Sequence, residues 1–473
     1  MKLGSGGNTS ATSTSVTKPL RADVAVIGGG VIGHGIAWEA RRSGRSVVLI
    51  DEAPGTGASW AAAGMLAPVS ELHYQEEDLL ELMLESSARW PGFAAALAGG
   101  NAGLDTGYLS TPTIAVGADP ADRRALMDLR EVQQASGLVA EPLTIRQARS
   151  REPLLSPGIS CALDIPADHQ VDPRKLVASL AAALGRHEPG AGTSVAGAEN
   201  GYAVRDNAAG LLWEGQSGSA VGSGDDTGHD RRQDRGRVSG VRLAGGGTVL
   251  AVETVVANGL AAASLDGLPP GLKLPLRPVY GDILRLRVPA HLRPLLTATV
   301  RGMVRGIPVY LVPRQDGTVV IGATQREDAQ AAPSAGGVYQ LLRDAQALVP
   351  AVAELELLEA IARARPGTPD NAPLLGRVTA RSTPAADGSP AATVEGLIVA
   401  TGFFRHGVLL TPAAAVICRE LMDGVEDGRW NPFRPARFST ERLSTERPAE
   451  AQAASQGSAV PDPVTFDPDK ETA

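Results

Sequence analysis

Gly28, Gly30 and Gly33 stand in the spacing GxGxxG, and Asp51 follows Gly28 by 23 residues. The chemistry that suits this set is the binding of a dinucleotide. The first glycine permits a tight turn, the second lets backbone approach a pyrophosphate, and the third lets a helix pack close to a strand. Val31 and Ile32, at the helix start, would offer free N–H groups and the positive end of the helix dipole to phosphates. The Asp51 carboxylate, with Glu52 beside it, can accept hydrogen bonds from ribose hydroxyls. FAD and NAD share this fingerprint, so it does not choose between them. His34, inside the same helix start, reads as a packing or surface residue.

These residues need particular elements around them. Val24–Ile27 is a short apolar run, as expected of a parallel strand covered on both faces. A helical pattern follows from Val31 to about Ser43, with Ile32, Ile36 and Ala40 on one face, and Gly44 stops it. Val47–Ile50 is a second apolar strand, which completes a βαβ unit. A helix is expected from Glu71 to about Leu97, then mixed segments to about Pro157. Asp172–Pro173–Arg174 reads as the start of a helix running to about Leu184, with proline at its first position. Short strands are expected at 202–204, 240–243, 248–251 and 255–257. The Gly, Ser and Asp rich stretch 207–238 reads as an insertion on a hairpin. Alternating apolar and polar residues over 276–322 predict antiparallel strands of a second domain, and a helix is expected over 337–349. Residues 396–423 read as a strand ending at Thr401–Gly402, a turn at Gly407 and a helix to Met422. That order would place a helix N-terminus at a ligand, or would simply close the fold.

Composition narrows the function classes. The chain has 473 residues, enough for two domains plus tails. It is 43% hydrophobic and 20% charged, with a net charge of −8 and no long basic run. Nucleic acid is therefore not an expected partner, because phosphate binding needs clustered Lys and Arg. Arg231, Arg232 and Arg235 are interleaved with Asp, as in a solvated loop. Two cysteines, Cys161 and Cys418, make no disulfide framework, and no Cys/His cluster has metal-ligand spacing. A reducing compartment, by default the cytoplasm, and no metal are expected. The first 20 residues lack the apolar core of a secretory signal, and no run approaches the roughly 18 apolar residues that span a bilayer. No membrane contact is expected, and a homo-oligomer stays open.

Further motifs carry a family resemblance. The opening from Asp23 to Glu52 is similar to that of the D-amino-acid oxidase superfamily. Gly57–Ala58–Ser59 with Ala61–Ala62–Ala63–Gly64–Met65–Leu66 resembles that family's loop beside the isoalloxazine ring. Val309–Arg314, Ile321–Thr324, Arg365–Asp370 with Pro373, and Gly396–Leu410 match as well. The resemblance covers roughly 22–437 and is greatest to the glycine oxidase branch that serves thiazole (thiamine) biosynthesis.

That resemblance implies an α/β fold, with a Rossmann-type FAD-binding domain and a second α+β substrate domain built on an antiparallel sheet. The FAD-binding domain would take 22–92, 160–270 and 360–437, and the substrate domain 93–159 and 271–359. Residues 1–21 would be a disordered N-terminus and 438–473 a loose tail. It implies FAD contacts from Ser59, Ala62, Ala63, Gly64, Met65, Val195, Gly402, Phe404, Arg405, His406, Gly407, Val408 and Leu409. No cysteine falls in a matched flavin motif, so noncovalent FAD is expected. Arg365 would clamp a substrate carboxylate, since a guanidinium fork binds two oxygens at once. Tyr310 would hydrogen-bond the substrate, Arg405 would lie close to flavin and substrate, and Met65 would line the small pocket. On residue type alone, Arg365 equally suits a salt bridge of the fold, and Tyr310 and Met65 suit a core. The implied partners are a small amino acid and oxygen. The absence of a second GxGxxG favours an oxidase, or a dehydrogenase coupled to another acceptor, over an enzyme that draws on NADPH. A flavin-binding partner protein without turnover is the alternative of another class. Two departures stand out: Tyr280–Gly281 where the family often has Lys–Gly, and His406 where it commonly has Asn. The first bears on the pocket wall or on access to it.

Overall fold

The computed structural model of the chain describes residues 18–72, 76–99, 104–186, 192–215, 236–328, 330–379 and 393–439. Its first strands are β1 (Leu20–Ile27), β2 (Val47–Ile50), β3 (Met65–Leu66), β4 (Thr113–Gly117), β5 (Glu141–Leu143), β6 (Cys161–Ile165) and β7 (His169–Gln170). They continue as β8 (Ala203–Val204), β9 (Ala208–Trp213), β10 (Val238–Leu243), β11 (Thr248–Val256), β12 (Arg277–Arg287) and β13 (Val300–Val304). The last are β14 (Ile307–Pro313), β15 (Thr318–Gly322), β16 (Glu356–Gly367), β17 (Leu374–Thr379) and β18 (Thr393–Thr401). The α-helices are α1 (Val31–Arg42), α2 (Ala58–Ala61), α3 (Glu77–Gly99), α4 (Pro120–Ala135), α5 (Ile145–Arg151), α6 (Pro173–Leu184), α7 (Ala335–Leu348) and α8 (Thr411–Met422).

The fold is α/β, with two large mixed sheets. The first runs β17-β18-β11-β1-β2-β8, and β9 and β10 form a hairpin arm on β11. Its centre, from β18 to β8, is parallel. Val24–Ile27 and all of β2 are buried, which is why they read as unbroken apolar runs. One face packs against α1, α3, α6 and α8, and the other against the β9–β10 hairpin. The chain leaves β1 for β2 on one side and places β11 on the other. Such a reversal of strand order opens a crevice at the carboxyl ends of the strands. Helices α1 and α8 cross closely at Gly35, where a Cβ would lie 2.6 Å from Thr411 Cγ2. Helix α6 begins as its sequence predicts: Asp172 accepts from Arg174 N at 3.0 Å and Pro173 follows at the first position.

The second sheet runs β16-β12-β15-β14-β13-β4-β6-β5. Its pairings are antiparallel except that of β4 with β13, which is parallel. Register sets one row across its face: Arg301 opposite Tyr310, Tyr310 opposite Gly322, Gly322 opposite Ile283, and Ile283 opposite Ile361. This face packs on Ala61, Ala63 and Met65 of the first lobe. Arg314 ties the two together. Its buried guanidinium donates to Val171 O at 2.9 Å, to Gln170 Oε1 at 3.2 Å and to the Ala63 carbonyl.

The structure departs from the sequence reading in several places. The stretch expected as an insertion from 207 starts with β9, whose Trp213 is buried and donates from Nε1 to Gly267 O at 2.8 Å. Only 216–235 of it lie outside the described residues. Helix α3 begins at Glu77, not Glu71, because Glu71 turns inward to meet two arginines. β1 begins at Leu20, inside the expected disordered N-terminus, because Leu20 and Arg21 already pair with β11. Residues 1–17 and 440–473, the bulk of the two expected tails, lie outside the described residues, as do Arg231, Arg232 and Arg235.

Candidate active site

Loops at the carboxyl ends of β1, β2, β11 and β18 meet the face of the second sheet around a cavity of about 820 Å³. At one end the lining is backbone and glycine. Gly28 has φ 107°, and a Cβ there would lie 2.5 Å from the Ala257 carbonyl oxygen. Gly30, Val31 and Ile32 line the cavity beside it. Gly33 does not; it lies against the Gly28 carbonyl, with which a Cβ would collide, so its part is packing. Both Asp51 oxygens hold the turns: Oδ2 accepts from Gly29 N at 2.6 Å and Oδ1 from Ala53 N at 2.8 Å. Carboxylate oxygens have further lone pairs, and Asp51 still faces the cavity. Glu52 accepts from Asn207 Nδ2 at 2.7 Å. Ser59, 28 residues after Val31, supplies the cap that Gly30 cannot, its Oγ accepting from Val31 N at 3.0 Å. His34 is buried behind this wall with Nδ1 3.1 Å from Gly30 O, and burial lowers its pKa.

The turn after β18 forms another wall. Gly402, Phe404, Arg405, His406, Gly407, Val408 and Leu409 all line the cavity, as do Ala62, Ala63, Gly64 and Met65 opposite. Two buried donors from α3 hold the turn, Ser86 Oγ at 2.7 Å and Trp90 Nε1 at 2.8 Å from Leu409 O. The expected helix N-terminus at the ligand is shifted by this arrangement. In the first turn of α8, Thr411 N donates to Val408 O and Ala413 N to Ser86 Oγ, so the turn before the helix, not the helix start, meets the cavity.

The far end carries charge. Arg301, Tyr310, Arg365 and Arg405 surround it with Glu71. Arg301 pairs with Glu71. Arg405 pairs with Glu71 at 3.0 Å and with Glu76 at 2.6 Å. Burial would raise the Glu71 carboxyl, but Arg301, His406 and Arg405 overcome it and hold it at about 2. Arg365 differs. It hydrogen-bonds the Tyr310 hydroxyl, and among the described residues it has no carboxylate partner. Burial pushes Tyr310 up to about 12 against the pull of Arg365, so the phenol is neutral at ordinary pH. Asp168 anchors the loop that carries Glu71, accepting from Val69 N at 2.9 Å and Ser70 N at 3.0 Å. Burial raises its carboxyl to about 6.

A family model described as FAD dependent oxidoreductase matches residues 23–211 and 226–421. The chain belongs to that family. Among its curated relatives is a glycine oxidase of Geobacillus kaustophilus, 32% identical over 425 residues, covering 89% of this chain and 97% of the relative. A bifunctional protein ThiO/ThiG of Trichormus variabilis is 28% identical over 90% of this chain, which spans 56% of that longer protein. The crystal structure of the Geobacillus kaustophilus glycine oxidase superposes with a TM-score of 0.69 at 29% identity, over 88% of this chain and 99% of that one.

The cavity of this FAD-dependent oxidoreductase suits an elongated dinucleotide. Its near wall is glycine backbone with no side chain at Gly28 or Gly30, and its other end offers donors on a sheet face. Neither Cys161 nor Cys418 lines it; both are buried elsewhere. Among the described residues, no group of His, Cys, Asp and Glu could hold a metal ion, and no helix is long and apolar enough to cross a membrane. Val195 is a further correction to the expected contacts. Its side chain belongs to the apolar core that also holds Ile27 and Val48, and it does not line the cavity, since burial of an apolar side chain is favourable. Tyr280 is another: alternation along β12 turns it away from the cavity that Gly281 lines, so the departure from Lys at that position leaves the wall unchanged. Sequence reasoning missed Glu71, Arg301, Asn207 and Gly281. The alternation over β12–β15 carried a signal for Arg301 and Gly281, since each shares a sheet face with Tyr310.

Proposed function

We propose that this oxidoreductase oxidises glycine, and that its substrate carboxylate is received by Arg365. The carrying observation is the contrast among three arginines: Arg301 and Arg405 are matched by Glu71 and Glu76, whereas Arg365 is held by a neutral phenol. A small anion entering this end restores balance at Arg365 alone. The likeness to glycine oxidase and to ThiO/ThiG supports glycine as the substrate and thiazole (thiamine) biosynthesis as its setting. The net reaction takes glycine, water and dioxygen to glyoxylate, ammonia and hydrogen peroxide.

The bound flavin would supply the hydride acceptor. Glycine-wall residues Gly28 and Gly30, with Asp51 and Glu52, would hold its dinucleotide part, and Ala62–Met65 with Gly402–Leu409 its ring. The rest of the task falls to this chain's side chains. The Arg365 fork fixes the carboxylate and hence the direction of the Cα–H bond. The Tyr310 hydroxyl, kept protonated by burial, can donate to the same carboxylate. Met65 and Phe404 close the space with apolar surface, which excludes water and favours the neutral amine over the ammonium. Arg405, locked to Glu71 and Glu76, would act as a brace for the turn after β18. The FAD-binding lobe would comprise the first sheet with its helices, and the substrate lobe the second sheet. A cytoplasmic setting and dioxygen as the acceptor complete the reading.

Purified protein should be yellow, anaerobic glycine should bleach it, and readmitted oxygen should yield peroxide. A panel of glycine, sarcosine and D-alanine with peroxide detection ranks the substrates. Bleaching by sarcosine or D-alanine but not by glycine would reassign the substrate, and bleaching without oxygen uptake would make the enzyme a dehydrogenase.

A further inference from the structure

Two glycines lie beneath the clamp, Gly281 in β12 and Gly322 in β15, and neither is required there by a positive φ. What each lacks is room. A Cβ on Gly281 would come within 2.6 Å of the Arg365 guanidinium carbon. A Cβ on Gly322 would come within 2.5 Å of Tyr310 Cζ. The obstruction over Gly281 is the Arg365 guanidinium alone; that over Gly322 is the Tyr310 phenol together with Ile283 Cδ1, at 2.7 Å.

Sheet register explains the arrangement. Tyr310 and Gly322 are cross-strand partners, so the phenol lies down over the missing side chain. Gly281 is opposite Arg363 and two residues from Ile283, which is itself opposite Gly322. Arg365, opposite Val279, reaches along the face and rests its guanidinium over Gly281. Without these two gaps in the sheet surface, the guanidinium and the hydroxyl would both stand higher.

We infer that Gly281 and Gly322 are positioning residues for substrate: a recessed floor that sets the depth of the Arg365–Tyr310 pair and so tunes the site to a small monocarboxylate. This rests on the reading of Arg365 as the carboxylate clamp. Because the obstruction over Gly281 is the far end of a flexible side chain, Gly281→Ala moves the clamp and spares the sheet. Gly322→Ala presses on the phenol ring and on Ile283 as well, so it is the blunter of the two substitutions.

The test is calorimetric titration of the flavin-loaded protein with acetate, a monocarboxylate that has no amine to oxidise. Wild type, Gly281→Ala, Arg365→Ala and the double variant are compared, with flavin content and Tm measured on each. Loss of a charge-assisted contact predicts that Gly281→Ala weakens acetate about tenfold or more. Flavin content should be unchanged, and the second substitution should add nothing in the Arg365→Ala background. Gly322→Ala should likewise weaken acetate, but not in a Tyr310→Phe background. If Arg365→Ala leaves acetate binding intact, the clamp reading itself fails. If Arg365→Ala abolishes binding while Gly281→Ala does not alter it, or if the two effects simply add, the clamp stands and the floor is refuted. A Gly281→Ala protein that purifies unfolded or colourless also overturns the inference, since the gap would then serve the fold.

Discussion

The two ends of the cavity are built on opposite principles. At the nucleotide end the sequence works by subtraction: Gly28, Gly30 and Gly33 remove side chains so that backbone can come close, while the carboxylate of Asp51 holds turns and Glu52 holds Asn207. At the substrate end it works by adding charge and then cancelling most of it, with Glu71 and Glu76 absorbing Arg301 and Arg405. The first design tolerates almost no change at its glycines but asks little of partners far along the chain. The second depends on pairs, so it should fail in proportion to how many partners are stranded.

Four substitutions can break or sharpen that contrast. Gly33→Val should have the largest effect, because even a Cβ there collides with the Gly28 carbonyl; the protein should purify without flavin, read by the absence of visible absorbance. Glu71→Gln should lower stability by about 3–5 kcal/mol, since it leaves Arg301 without its carboxylate and Arg405 with Glu76 alone. Denaturant unfolding measures it, and an unchanged midpoint would mean that the charges are not coupled. The same carboxyl sets an acid limit. Its folded pKa of about 2 lies below its ordinary 4.5, so its stabilisation is complete above about pH 4.5 and is lost as pH falls towards 2. Arg365→Ala should keep flavin and lower kcat/KM for glycine by tens to hundreds-fold, about 2–4 kcal/mol. Steady-state kinetics with an intact flavin spectrum would decide it. Asp168→Asn should show the smallest effect, about 1–3 kcal/mol, since one of its two accepting oxygens becomes an amide nitrogen that faces a backbone donor. Its carboxyl is raised from 3.8 to about 6, so the folded state holds a proton that the unfolded chain releases. Stability from that proton is present below about pH 4 and drains away as pH climbs through 6. In the Asn variant that slope in Tm should vanish.

The same contrast decides what could be read from residues alone. A dinucleotide cradle is local: Gly28–Asp51 spans one βαβ unit, and its spacing states its chemistry. The α/β class also showed, because strand and helix periods differ. The charge pairs did not show. Glu71 and Arg301 are 230 residues apart, and a glutamate after a Pro–Val–Ser stretch looks like a helix start until the fold turns it inward. Family likeness brought Arg365 and Tyr310 to notice without their supports. It also suggested Val195, whose place in the core follows from packing that no short motif encodes. Arg405 was drawn in as a ligand-side residue, and its two glutamates, more than 300 positions away, recast it as a brace.

Arg314 has a consequence for how the molecule can move. Burial drops its pKa to about 10, and its donors reach Val171, Gln170 and Ala63 from the opposite lobe. Prising the halves apart would break these bonds together and loosen the contact of the guanidinium with Asp172, 3.8 Å away. Heating should therefore melt both halves together as one calorimetric event.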